Sequence, residues 1–198
     1  MRSVPALVVV ALMMAAVPLT TATAAPAPMP PPAMQSSQQD VRGAREHDDL
    51  PRMDGARIRA WRQLSVAEIT LPTGTVNDGG ASEHVLRLQG QISHLDYAIR
   101  PAVPPLEMTR HYEAALRDGG YETVFSCAGI ARCGSGMGSL ILLSDKTAPA
   151  GFADGVFNDQ LRVIVARKGS TWVLLHMTRG PDRSLVYQAV IEGARELD

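Results

Sequence analysis

The stretch that decides the fold is VLRLQGQISHLDYAIR at residues 85–100, followed by PAVPPLEMTRHYEAALRDGG at 101–120 and YETVFS at 121–126. In the first part Leu86, Leu88 and Ile92 are apolar at even positions, whereas Leu95, Tyr97 and Ile99 are apolar at odd ones. Strand side chains alternate between faces with a period of two. The segment therefore reads as the longest strand of the chain, and its change of frame implies a bulge near Ser93-His94 or a change of partner. The prolines at 101, 104 and 105 end that strand, and proline is tolerated in the first turn of a helix, where the missing N–H has no intrahelical partner. A helix is predicted over about 104–118, with Leu106, Thr109, Tyr112, Ala115 and Leu116 on one stripe and Glu113 and Arg117 paired at i,i+4. Gly119-Gly120 stops it, since glycine accepts the left-handed cap conformation. Tyr121 and Phe125 then share one face of a further strand.

The flanks read mostly as β. Residues 56–71 form one or two strands closed by Pro72-Thr73-Gly74, and 76–83 make a turn-rich connection around Asn77-Asp78-Gly79-Gly80. Residues 140–143 are a short apolar run and 146–159 look irregular. Three closing strands, near 161–167, 172–178 and 185–192, are separated by short glycine-containing connections, which favour antiparallel neighbours. The expected fold is α+β: an antiparallel sheet with one main helix packed on one face and a three-strand C-terminal meander.

The N-terminus reads as an export signal. Arg2 supplies the positive charge, residues 4–19 are apolar and uncharged, and Ala22-Thr23-Ala24 is an A-x-A cleavage site. The apolar stretch is short for a spanning helix, which needs roughly 20 residues. Pro5 and Pro18 weaken it further as an anchor, so no integral membrane segment is expected after cleavage. Residues 25–46 are rich in Pro and Gln and read as a disordered tether, because proline enters neither helix nor sheet interior. A single domain is expected over 47–192, with a tail at 193–198.

The 198 residues carry 19 basic against 20 acidic side chains; removing residues 1–24 takes away Arg2 and leaves 18 against 20. That balance argues against a nucleic-acid partner, which calls for a basic excess.

Cys127 and Cys133 are the only cysteines and enclose five residues. In an exported chain such a pair reads as a structural disulfide, worth roughly 2 kcal/mol for so short a loop. The alternatives are a redox pair, which normally uses C-x-x-C at a helix N-terminus, and metal-bound or free thiols. Gly134-Ser135-Gly136-Met137-Gly138-Ser139 superficially resembles a phosphate-cradling loop but lacks its lysine, and reads as a flexible loop.

The histidines, at 47, 84, 94, 111 and 176, are scattered, with no H-E-x-x-H. Glu107 and His111, at i,i+4, read as a solvated helix pair, and His47-Asp48-Asp49 as a charged surface. Asp154, Asn158 and Asp159 lack the spacing of a calcium loop. Trp61 and Trp172 read as core anchors. No metal, cofactor or catalytic residue is assigned.

Three stretches carry a family resemblance: HDDLPRMDGARI at 47–58; LQGQISHLDY at 88–97 with HYEAAL at 111–116; and GGYETVFSC at 119–127, closing with Cys133-Gly134. Together they resemble an uncharacterised bacterial envelope domain, domain of unknown function 4892, found alone or ahead of an OmpA-like peptidoglycan-binding domain. The resemblance spans roughly residues 47–135. It implies a periplasmic location and a structural cysteine pair, and it brings no catalytic residue. The OmpA-like partner is not expected here, because little chain follows.

The functional expectation is a periplasmic, non-enzymatic binding or structural module acting on an envelope component. The alternative is a small periplasmic enzyme, either a hydrolase using His94 or His111 with Asp96, or a thiol–disulfide enzyme using Cys127 and Cys133.

Overall fold

The computed structural model describes residues 39–78, 84–152 and 159–198. The elements run β1 (Ala56–Pro72), β2 (Val85–Ile99), α1 (Pro105–Asp118), β3 (Glu122–Ala128), α2 (Ile130–Cys133), α3 (Met137–Leu142), β4 (Arg162–Lys168), β5 (Thr171–Arg179) and β6 (Ser184–Glu196). The strands form one six-stranded sheet in the order β1-β2-β6-β5-β4-β3, with every neighbouring pair antiparallel. This is the α+β fold expected, with β4, β5 and β6 as the closing meander. Four antiparallel steps separate β2 from β3, so those two run parallel, and α1 carries the chain between them across one face.

Both faces of the sheet are covered, and this explains the frame change in β2. On the α1 side Leu95, Tyr97 and Ile99 pack with Leu50, Met108, Tyr112, Leu116, Val186 and Val190. On the other side Leu88 and Ile92 pack with Met137, Ile141, Phe152, Leu174, Tyr187 and Ile191. The expected bulge at Ser93-His94 is not there: pairing with both β1 and β6 is continuous through those residues. Alternation never breaks; from His94 on both faces are buried, and His94 and Asp96 are polar residues on the face that carries Leu88 and Ile92. The irregularities lie elsewhere, in β1 between Ile58 and Ala60 and between Leu64 and Ala67, and opposite Gly90, where β6 carries one extra residue. Residues 56–72 are one strand, bent twice.

The buried stripe of α1 is Pro105, Met108, Tyr112 and Leu116, spaced 3, 4 and 4, whereas Leu106 is 52% exposed. The expected stripe was displaced at its start because Pro105 is itself an apolar contact. The helix ends with Gly120 N–H bonded to Arg117 O and Tyr121 N–H to Leu116 O, with Gly120 at φ 77°. That is a Schellman cap, which needs the left-handed glycine.

Residues 129–152 supply the second cover. Cys127 and Cys133 are disulfide-bonded with Cα atoms 5.2 Å apart, tying the end of β3 to α2. The glycine-rich stretch is a contact surface. Gly134 and Gly136 are buried against residues 76–78, with Val76 N–H donating to Cys133 O and Gly136 N–H to Val76 O. Gly134 has φ 91°, and a Cβ there would lie 2.1 Å from Val76 O. Only glycine satisfies both conditions.

Packing extends past both expected domain ends. Asp40 Oδ1 accepts from Ile58 N–H, Val41 N–H donates to Ile58 O, and Glu46 accepts from the Tyr97 hydroxyl. At the other end β6 continues to Glu196 and Leu197 N–H donates to Arg87 O.

Candidate functional site

His94 and Asp96 lie two apart on β2 and so share a face, the one opposite α1. Each is buried, and each takes a different partner. The Tyr187 hydroxyl donates to Thr147 O at 3.0 Å, so at 2.8 Å its oxygen accepts the proton of His94 Nδ1. Burial, with the positive Arg62 adding to it, pushes the His94 pKa down to about 4. His176, on the same face in β5 opposite Tyr187, is driven to about 4 by burial alone. Tyr187 is pushed up, first by burial and then by the charge of Asp96. Asp96 is ion-paired with Arg59 from β1. The two members of the expected acid–base pair are therefore held by other groups; both histidines are buried and neutral, and His94 lies against Phe152 beside the Tyr187 hydroxyl that binds Thr147 O.

The remaining sequence candidates are dispersed. His111 Nε2 lies 2.9 Å from the Pro51 carbonyl, which can only accept; Nε2 therefore carries the proton, and the ring clips α1 to the segment before β1. His47 Nδ1 accepts from Asp49 N–H, and the Asp49 carboxylate, held below its ordinary pKa chiefly by Lys168, ties that segment to β4. Trp61 packs against the α1-side core. Trp172 is buried under the Arg167 guanidinium, 5.3 Å from the ring centre. Asp159 is exposed, and Asp154 and Asn158 lie outside the described residues. Among the described residues no three His, Cys, Asp or Glu side chains converge on a point that could hold a metal.

A different site emerges where the roof ends. Beyond Asp96 on the same face of β2 comes Ala98, opposite Arg57 of β1. Here an open cleft of about 710 Å³ is lined by Arg57, Arg59, Arg100 and Arg183, with Asp40 and Val41 at one side. Three separate segments supply the guanidinium groups: β1, the residue after β2, and the turn before β6. Antiparallel register brings them together, since Ala56 pairs with Ile99 and Ile99 with Ser184.

The nearby carboxylates are committed. Asp96 holds Arg59 from beneath. Asp182 binds Arg100 at 2.8 Å and approaches Arg183 at 3.6 Å; the Arg100 hydrogen bond holds its carboxyl below the ordinary range. Asp40 binds the Ile58 amide and Arg52, and these hydrogen bonds outweigh burial to keep its pKa low. The Arg57 side chain is exposed and, among the described residues, makes no hydrogen bond or ion pair; its charge helps lower the Asp40 pKa. A carboxylate or phosphate offered here meets planar forks of N–H donors, the geometry that binds such groups in bidentate fashion.

Sequence reasoning missed these arginines. The Arg57-Ile58-Arg59 alternation was visible, but the contribution of Arg100 and Arg183 depends on strand register, which spacing does not reveal. Comparison with known proteins finds no family model that matches the chain and no matching curated protein.

Proposed function

We propose that this chain is an exported module of the bacterial envelope that works in the periplasm by binding. The observation that carries the reading is the open cleft at the end of the sheet. It is concave and within the size range of small-ligand sites, and several polar groups converge on it. The groups named for acid–base or thiol chemistry are each engaged elsewhere: His94 is buried against Phe152, His111 is bonded to the Pro51 carbonyl, Asp96 is paired with Arg59, and the cysteines form a disulfide. Export is supported by the A-x-A pattern after an apolar stretch, by the disulfide, and by the resemblance of residues 47–135 to an envelope domain. Among the described residues no helix is long and apolar enough to cross a membrane.

Two measurements test this. The full chain expressed in a Gram-negative host should be recovered from the periplasm beginning at Ala25, with no free thiol. Immobilised, it should retain envelope components saturably. Recovery from the cytoplasm with its N-terminus intact, or no saturable retention, contradicts the reading.

A further inference from the structure

We propose that the arginine-lined cleft is an oxyanion site, taking a small ligand that carries at least two phosphate or carboxylate groups. The biological meaning of this inference rests on the binding reading above; the ligand chemistry rests on the cleft itself.

Four guanidinium groups around one opening repel one another, and a fold tolerates that arrangement only with compensating negative charge. The protein supplies part of the compensation from below and from the side. Asp96, 1% exposed, anchors Arg59, and Asp182, itself exposed, sits against Arg100 and Arg183. Asp40 also lines the cleft, but its carboxylate oxygens are taken by the Ile58 amide and Arg52, and only its longer-range charge reaches Arg57. Arg57, on the open side, is left with solvent among the described residues.

The charge is spread over two walls, Arg57 and Arg59 on β1 and Arg100 and Arg183 across the floor at Ala98. One small oxyanion engages one fork, whereas a ligand with two such groups can reach both walls. The exposed Asp182 pair is the weak link, because ion pairs open to water are readily exchanged for a better-placed anion.

The test is calorimetric titration of the full exported chain with inorganic pyrophosphate and, separately, citrate, at low and raised salt. Binding of pyrophosphate alone assigns the site to phosphate groups and binding of citrate alone to carboxylates; either supports the proposal, as does binding of both. Arg57→Ala and Arg100→Ala should each weaken binding by about tenfold, the loss of one charge-assisted contact. Arg87→Ala removes the same charge from an exposed pair with Glu68 outside the cleft and should leave binding within about twofold, since exposed pairs contribute little. Arg57→Gln, with an unchanged melting curve, guards against misfolding. No binding of either probe, or equal loss in the Arg57 and Arg87 variants, overturns the proposal. Should wild type bind neither probe yet retain envelope material saturably, the oxyanion site falls, and the binding reading survives only through a surface other than the cleft.

Discussion

On one face of β2, His94, Asp96 and Ala98 follow one another at two-residue intervals, yet the two ends of this row are chemically opposite. At the His94 end the roof of residues 129–152 excludes water, and titratable groups answer by staying neutral: two imidazoles near 4 and a phenol pushed up. At the Ala98 end the roof is gone and charge accumulates as arginine. Asp96 stands at the boundary, buried like its neighbours but ion-paired with Arg59. Residue type alone places histidine and aspartate as candidate chemistry and arginine as ordinary surface; the cover over the sheet reverses that ranking.

The largest expected effect comes from acid. His94 and His176 are neutral in the folded state to about pH 4, while in the unfolded chain they protonate near 6.5. Stability is therefore full above roughly pH 6.5 and falls as pH drops toward about 4, by on the order of 2–3 kcal/mol for each histidine. Urea melts across that window measure the loss, and His176→Leu should remove about half of it. A flat profile in wild type would show that these rings are not sealed.

Next in size is the boundary pair. Arg59→Leu leaves the buried Asp96 carboxylate without its guanidinium and should cost about 3 kcal/mol in chemical denaturation. Gly134→Ala attacks the roof itself. Its methyl group collides with Val76 O in a backbone conformation foreign to alanine, and about 2–3 kcal/mol should be lost, with amide exchange rising in residues 130–142. Smaller still is Cys127→Ser with Cys133→Ser, which opens a short loop and should cost about 2 kcal/mol by thermal unfolding while leaving binding at the arginine end unchanged.

The fold was largely legible, and for local reasons. Prolines 104 and 105 and the Gly119-Gly120 pair bracket α1, and the short turns around Lys168-Gly169-Ser170 and at 179–183 make the meander. What was not legible depended on two-sided burial. Alternation reads one covered face well, but from His94 to Ile99 both faces of β2 are buried, and the polar His94 and Asp96 on the face of Leu88 and Ile92 make the apolar pattern jump frame as a bulge would. The roof was missed because its core residues, Met137, Ile141, Ala148 and Phe152, are spread along short helices and irregular chain without a period. Glycines 134 and 136 read as slack, whereas they allow one backbone to press on another. His94 and Asp96 were named, but nothing in their spacing tells that Tyr187 and Arg59 claim them. The arginine cleft needs the pairing of Ala56 with Ile99 and of Ile99 with Ser184, knowledge that only the folded sheet provides.

The contrast between the sealed and open ends is tested most directly by mapping backbone amide and histidine side-chain NMR shifts while pyrophosphate or citrate is added to the exported chain. Shifts concentrated at Arg57, Ile58, Ala98, Arg100 and Arg183, with the His94 and His176 ring signals unmoved, are the predicted result. Perturbation centred on His94, His176 and Tyr187 with the arginine end unchanged would contradict it.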